Sequence, residues 1–266
     1  MTDYDDDANR RWAAALSRWA IPDELVAAAA ESPYFFSSAV FTAAADAALD
    51  RDADTPSDCV ACEALPDRGT VLDVGVGAGA ASLRLPAGLV IGVDPNAELL
   101  DAFVARAARR GMRSTAIRGA WPDVESRTPT ADIAVCHHVV YNVADLAGFA
   151  AGLTSHADRR VVIELTTVHP MMWMAPYWHA LHGISQPDRP TVDDAIAVLT
   201  GLGLDVHQQR WQRPVQMIGE NDADAVARIA RRLCLSTDRH DELARLLART
   251  PPPTTRDVVT LWWDRK

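Results

Sequence analysis

The most constraining feature of the sequence is a glycine-rich segment that directly follows a short apolar run. Residues 70–74 have the composition of a buried strand, and Gly75, Gly77 and Gly79 follow at alternate positions. Glycine tolerates positive φ and lets a ligand approach the backbone. A helix expected after the loop would present unpaired N–H groups to an anion. The pattern predicts a small-molecule site at the end of the first strand of a sheet.

Two carboxylates make this segment more specific. Asp73 lies inside the apolar run, two positions before the first glycine, and Asp94 ends the next apolar run. An acidic side chain at the end of the second strand can accept hydrogen bonds from both hydroxyls of a ribose. The two carboxylates and the glycines together indicate a site for a nucleoside-containing ligand.

The rest of the chain predicts an α/β fold. From residue 68 onward, β-rich apolar runs alternate with stretches of helical periodicity, such as Leu100, Phe103, Val104 and Ala107 at i, i+3, i+4 and i+7. Such alternation predicts parallel strands with helices on both faces. The predicted strands are residues 70–74, 89–93, 114–118, 133–137, 160–165, 204–211 and 258–263.

The domain organisation follows from where this alternation begins. Residues 8–62 have helical periodicity and no strand–helix–strand unit. We predict an N-terminal helical cap over residues 1–62 and a cofactor-binding core over 63–266. Helical insertions are expected near 170–200 and 212–256.

Charge and composition exclude several classes of function. The formal net charge is −10, which disfavours a nucleic-acid partner because an acidic surface repels phosphates. The only lysine is Lys266, so a lysine base and a phosphate-loop lysine are both excluded. No run approaches the roughly 18 apolar residues of a membrane helix. The expected partner is therefore a small-molecule substrate, and the sequence leaves the oligomeric state open.

The N-terminus and the cysteines indicate a cytoplasmic location. Residues 1–7 are acidic, whereas a secretory signal has positive charge before an apolar run. Cys59 and Cys62 form a CxxC pair, but there is no second pair to complete a zinc site. We expect a reduced, cytoplasmic protein without a bound metal.

An acidic residue followed by GxGxG resembles the first motif of class I S-adenosylmethionine-dependent methyltransferases, and the resemblance covers roughly residues 65–265. It implies a Rossmann-like, doubly wound, mostly parallel seven-stranded sheet with helices on both faces and an added helical lid. It also implies S-adenosyl-L-methionine as cofactor and methyl transfer as the reaction. Asp73, Gly75, Gly77 and Gly79 would line the methionine part, and Asp94 would hold the ribose hydroxyls.

The remaining cofactor contacts implied by the resemblance lie after the next strands. The family often binds adenine with an acidic residue after the third strand, and residues 118–123 lack an acid in that place. Trp121 is therefore expected to cover the adenine. The full set of additional cofactor candidates is Pro95, Asn96, Ala120, Trp121 and His137.

Two other functions fit part of the pattern. The loop also satisfies the G-x-G-x-x-G/A fingerprint of nicotinamide-dependent oxidoreductases, through Gly75, Gly77 and Ala80. Asp94 is equally suited to bind the ribose of a nicotinamide cofactor. That fingerprint usually opens a chain, whereas a long helical segment precedes it here, so a methyltransferase is favoured. A cofactor-binding protein without catalytic activity is the third alternative.

The catalytic candidates are His137 and His138, which end the fourth predicted strand. A histidine base is useful near neutral pH, although one of the two rings can equally pack against the strand. The Met- and aromatic-rich residues 169–179 either wall an apolar substrate pocket or form a helix packed on the core. We expect a small, partly apolar acceptor, with Tyr34, Phe35, Tyr141, His169, Trp173, Tyr177 and Trp178 as candidate substrate contacts.

Overall fold

The fold is an α/β sandwich built on one seven-stranded sheet, described by a computed structural model for residues 3–34, 37–215 and 223–265. The strands are β1 (Thr70–Val74), β2 (Leu89–Asp94), β3 (Arg113–Arg118), β4 (Ala131–His137), β5 (Ala157–Thr166), β6 (His207–Pro214) and β7 (Thr255–Asp264). The α-helices are α1 (Asp3–Ser17), α2 (Asp23–Ala28), α3 (Ser38–Leu49), α4 (Pro56–Ala64), α5 (Ala97–Arg109), α6 (Leu146–His156), α7 (Ala175–His182), α8 (Val192–Gly201), α9 (Ala223–Arg232) and α10 (His240–Arg249).

The strand order in the sheet is β3-β2-β1-β4-β5-β7-β6. The first five strands pair in parallel, and β7 lies antiparallel between β5 and β6. This arrangement confirms the predicted seven-stranded, mostly parallel sheet with helices on both faces. The central strands are apolar because both of their faces are buried.

The helix predicted directly after the glycine loop is absent, and that prediction is wrong. Residues 77–84 form successive turns instead. Gly77 and Gly79 both have positive φ, so a right-handed helix cannot include them, and Pro86 interrupts the chain a few residues later. The segment between them is too short to repay the cost of helix nucleation. In place of a free helix terminus, the loop has N–H groups that donate within the protein, those of Gly75 and Val76 to Val93 and that of Gly77 to Asp94.

The N-terminal helices pack onto the sheet at several points. Trp12 of α1 is fully buried in the largest core cluster. In α3, Ala45 packs against Ala78 of the glycine loop and against Leu99 of α5. Arg106 of α5 also forms a two-point ion pair with Asp46 of α3, at 2.9 Å for each contact. The predicted boundary between residues 62 and 63 is therefore crossed by core contacts.

A second apolar cluster lies outside the sheet. It joins α7 to α9 and α10, and its largest buried members include Tyr177, Trp178, Leu233 and Leu243. The helical insertion predicted near 212–256 corresponds in part to α9 and α10. Within the described ranges, none of the helices is both long and apolar enough to cross a bilayer.

Candidate functional site

The glycine loop bends away from β1 and is fixed to the end of β2. The N–H groups of Gly75 and Val76 both donate to the Val93 carbonyl oxygen, at 2.8 and 3.0 Å. A Cβ atom added at Gly75 would lie 2.3 Å from Val139 Cγ2, so the loop approaches the segment after β4 too closely for a side chain. Gly77, with φ of +52°, has no atom within 4 Å of an added Cβ. The loop is therefore packed on one side at Gly75 and open at Gly77.

Asp94 connects this loop to the start of α5. Its Oδ2 accepts the Gly77 N–H at 3.0 Å, and its Oδ1 accepts the Asn96 N–H at 2.8 Å. Asn96 in turn accepts the Leu99 N–H and caps α5. Pro95 and Asn96 are exposed beside the carboxylate. Each carboxylate oxygen keeps a further lone pair, so Asp94 can still accept hydrogen bonds from a ligand.

Among the residues that the structure describes, Asp73 is a fully buried carboxylate with no cationic partner. In the described part of the chain, neither of its oxygens reaches a hydrogen-bond partner, and the hydroxyl of neighbouring Ser82 is also unpaired. Burial raises the pKa of Asp73 to about 7, an effect that nearby Ser82 opposes and the Asp94 carboxylate reinforces. An unpaired buried carboxyl is costly, and a cationic ligand group would supply the missing partner.

The residues after β3 are not arranged as predicted for binding an adenine ring. Trp121 is buried, its indole N–H donates to the Phe149 carbonyl oxygen at 3.3 Å, and its ring meets His156 edge-on. The ring is thus directed at α6, which argues against the prediction that it covers an adenine. Arg118 and Ala120 are both exposed at this strand end.

The two candidate catalytic histidines have different environments. His137 is largely buried, and its Nε2 has no partner among the described residues. Burial lowers the pKa of His137, and the Glu164 carboxylate opposes that effect. His138 is 39% exposed and has a φ of +60°, a backbone conformation that is unfavourable for a non-glycine residue. The fold holds the His138 ring at the rim of the sheet.

Glu164 of β5 is the centre of a buried polar cluster that was not among the site residues predicted from the sequence. Its Oε2 accepts from the Ser57 hydroxyl at 2.7 Å, and its Oε1 lies 3.0 Å from His138 Nε2. Burial opposes ionisation, but His137, His138 and the Ser57 hydroxyl outweigh it and hold the pKa of Glu164 well below its usual range. Arg213 of β6 completes the cluster, with Nη1 2.9 Å from His138 Nε2.

One sequence signal was available for this cluster. Glu164 is an acidic residue in the otherwise apolar run 161–165 of β5, and His137 is its register partner on β4. Ser57 and Arg213 had no such signal, because they reach the cluster from α4 and from β6.

Three of the candidate substrate residues are used in packing. The Tyr141 hydroxyl donates to the Thr166 carbonyl oxygen at 2.9 Å, and the Tyr177 hydroxyl donates to that of Thr250 at 2.6 Å. Tyr141, Tyr177 and Trp178 are all buried. Residues 169–179 were expected either to wall a substrate pocket or to form a helix packed on the core. For Tyr177 and Trp178, the packed helix is the alternative that agrees with the structure.

The other candidates are more accessible. Tyr34 is 54% exposed, and Trp173 is half-buried. His169 stacks on Trp19 with ring centroids 3.8 Å apart, and burial lowers the pKa of His169 to about 4. Phe35 lies outside the described residues. The structure therefore does not gather these candidates into one pocket wall.

Comparison with known families gives one match by sequence. A methyltransferase-domain family profile matches residues 71–157, from β1 to the start of β5. This segment contains the glycine loop, Asp73, Asp94 and both candidate catalytic histidines. None of the curated proteins compared with the chain matches it.

Solved structures with the same fold are numerous but distant in sequence. The YcgJ protein of Bacillus subtilis is 17% identical, with a TM-score of 0.55 over 79% of this chain and 98% of its own. A methyltransferase of Thiobacillus denitrificans, crystallised with S-adenosylhomocysteine, is 16% identical, with a TM-score of 0.51 over 85% and 98%. A methyltransferase of Geobacter sulfurreducens, also crystallised with S-adenosylhomocysteine, is 17% identical, with a TM-score of 0.51 over 85% and 98%. Residues 71–157 therefore match a methyltransferase domain by sequence, and the described chain around them has the fold of S-adenosylmethionine-dependent methyltransferases.

Proposed function

We propose that the protein transfers a methyl group from S-adenosyl-L-methionine to a small, partly apolar acceptor at the carboxyl edge of the sheet. The observation that carries this proposal is the open, positive-φ Gly77 between two carboxylates, buried Asp73 and Asp94, inside the matched methyltransferase segment. Neighbours of the same fold crystallised with S-adenosylhomocysteine support the choice of cofactor. The matched family favours this reaction over that of a nicotinamide-dependent oxidoreductase.

Different residues of the site would contact different parts of the cofactor. Asp73 would pair with the cationic methionine end, for which its unpaired and buried oxygens are suited. The open side of Gly77 would admit the cofactor against the backbone, and Asp94 would accept the ribose hydroxyls with its remaining lone pairs. Ala120 would lie beside the adenine.

The chemical demands on the protein are modest. S-adenosylmethionine supplies a methyl group on a sulfonium, which is already a good leaving group. The protein needs to align the acceptor with the methyl group and to exclude water. Alignment by itself can lower the activation barrier of such a reaction by a large amount. His138, at the rim and hydrogen-bonded to Glu164, is the side chain best placed to take a proton from the acceptor.

A thermal-shift titration separates the cofactor alternatives. We expect S-adenosylhomocysteine to raise the melting temperature and NAD to leave it unchanged, because only a ligand that binds the native state stabilises it, by about 2.7 kcal/mol at a hundredfold excess over Kd. Stabilisation by NAD alone would overturn the proposal. A cofactor-bound protein that methylates no member of a diverse acceptor library would favour the non-catalytic alternative.

The change Gly77→Ala tests the open side of the loop. We expect it to remove most of the stabilisation by S-adenosylhomocysteine, because the new Cβ would occupy the space into which the ligand must approach. The matched control is Gly111→Ala, since Gly111 also has a positive φ, +68°, and free space around an added Cβ, but lies after α5 at the opposite edge. Both variants carry a backbone strain of about 1 kcal/mol. Equal ligand binding by the two variants would remove Gly77 from the cofactor site.

A further inference from the structure

Arg213 lies near the carboxyl end of β6, beside the candidate proton acceptor. Its Nη1 is 2.9 Å from His138 Nε2 and 3.4 Å from Glu164 Oε1. Because β7 is antiparallel to both β5 and β6, β6 runs in the same direction as the parallel strands. The guanidinium therefore reaches the edge of the sheet where ligands bind in open α/β folds.

Arg213 is only weakly neutralised by Glu164. The Ser57 hydroxyl and His138 Nε2 lie 2.7 and 3.0 Å from the Glu164 carboxylate. The contact from Arg213 Nη1, at 3.4 Å, is the longest of these three. Over the described part of the chain, Nε and Nη2 of Arg213 make no hydrogen bond, and the side chain is 34% exposed. The guanidinium therefore keeps donors available at the rim.

A second cation lies directly opposite. Arg256 on β7 is the register partner of Arg213, and like charges facing each other across strands are destabilising. Burial, reinforced by the positive charge of Arg213, lowers the pKa of Arg256. The two guanidinium groups thus lie on neighbouring strands at this edge of the sheet, whereas the whole chain has a net charge of −10.

We propose that Arg213 binds a carboxylate of the methyl acceptor, so that the substrate is a small carboxylic acid held beside His138. The planar fork of a guanidinium matches a carboxylate in a two-point contact. The anionic Glu164 nearby disfavours a doubly charged group such as phosphate. This inference rests on the proposed function, because it assigns the substrate class of the same site.

The test uses benzoate as a probe for a planar, partly apolar acid. The full-length protein is first saturated with S-adenosylhomocysteine, and benzoate is then titrated by calorimetry. We expect benzoate to bind the wild type, and the change Arg213→Gln to weaken benzoate binding about 10- to 100-fold, since it removes a charge-assisted contact. Retained binding of S-adenosylhomocysteine shows that the Arg213→Gln variant is folded.

The matched control is Arg210→Gln on the same strand. Arg210 is exposed and pairs with Asp193 at 2.7 Å, away from the Glu164 cluster, so benzoate affinity should stay unchanged. Neutral benzamide should not bind the wild type. Equal binding of benzamide, equal weakening by both variants, or binding of inorganic phosphate in preference to benzoate would overturn the assignment.

The two proposals fail in different ways. If S-adenosylhomocysteine does not bind the wild type, the proposed function is wrong and the inference falls with it. If S-adenosylhomocysteine binds but millimolar benzoate does not, the carboxylate site is wrong and the proposed function stands.

Discussion

Replacing Asp73 by asparagine is expected to make the unliganded protein more stable at pH 8 while removing its stabilisation by S-adenosylhomocysteine. Asp73 is fully buried, and burial raises its pKa to about 7, whereas the unfolded chain releases this proton near pH 4. The wild type therefore loses stability as the pH rises from about 4 to about 7, because the unfolded state gives up its proton first.

We expect Asp73→Asn to raise the free energy of unfolding at pH 8 by on the order of 1–3 kcal/mol. This is less than the full free energy that corresponds to the raised pKa of Asp73, because the amide is also buried without partners. At pH 4 the gain should vanish, since Asp73 is protonated in the folded protein. Thermal denaturation at both pH values, with and without S-adenosylhomocysteine, measures the two effects. Asp188→Asn is the control, because Asp188 is exposed and should show neither effect.

Two results would contradict this account of Asp73. Lower stability of Asp73→Asn at pH 8 would show that the carboxylate is paired in the folded protein. Undiminished stabilisation by S-adenosylhomocysteine would remove Asp73 from the cofactor site. A gain in stability together with a loss of binding is the pattern expected of a functional residue that is retained at a cost in stability.

The second large effect is expected at Trp12. Trp12→Ala should lower the free energy of unfolding by about 3–5 kcal/mol, because it empties a fully buried site in the largest core cluster. It also removes the 2.7 Å hydrogen bond from the indole to the Val143 carbonyl oxygen and the contact with Tyr141. Equilibrium denaturation monitored by circular dichroism measures the change.

Trp19→Ala is the matched control for Trp12→Ala. Trp19 is only partly buried, although its indole also donates to a carbonyl oxygen, that of Arg189. We expect its loss to cost clearly less. A single transition in Trp12→Ala would mean that the N-terminal helices and the sheet unfold together. A separate early transition would instead indicate that the predicted cap over residues 1–62 is an independent unit.

Much of the fold was predictable because its signals are local. A buried parallel strand is a short apolar run, and a strand–helix alternation repeats that signal along the chain. The predicted strands agree with the observed ones within three residues at each end, and the starts of β5, β6 and β7 each differ by three. The helix after the glycine loop was the local prediction that failed, because two positive-φ glycines and Pro86 leave too little chain between them.

The candidate site was predictable to a smaller extent. Four residues of the site were identifiable because each lies in, ends or closely follows a strand within one short segment: Asp73, Gly75, Gly77 and Asp94. The orientation of the Trp121 ring was not, because whether a ring after β3 faces α6 or a ligand depends on the packing of an element that comes later in the chain.

The sheet, the glycine loop and the two carboxylates beside it are encoded in short stretches of sequence, since backbone conformation and burial follow from consecutive residues. The packing of α3 on the loop at Ala78, and the contacts of Glu164 with Ser57, His138 and Arg213, arise only when distant segments come together. Ser57 and Glu164 are 107 positions apart, and Glu164 and Arg213 are 49 apart. Such contacts arise from the order and register of strands, which no local periodicity encodes.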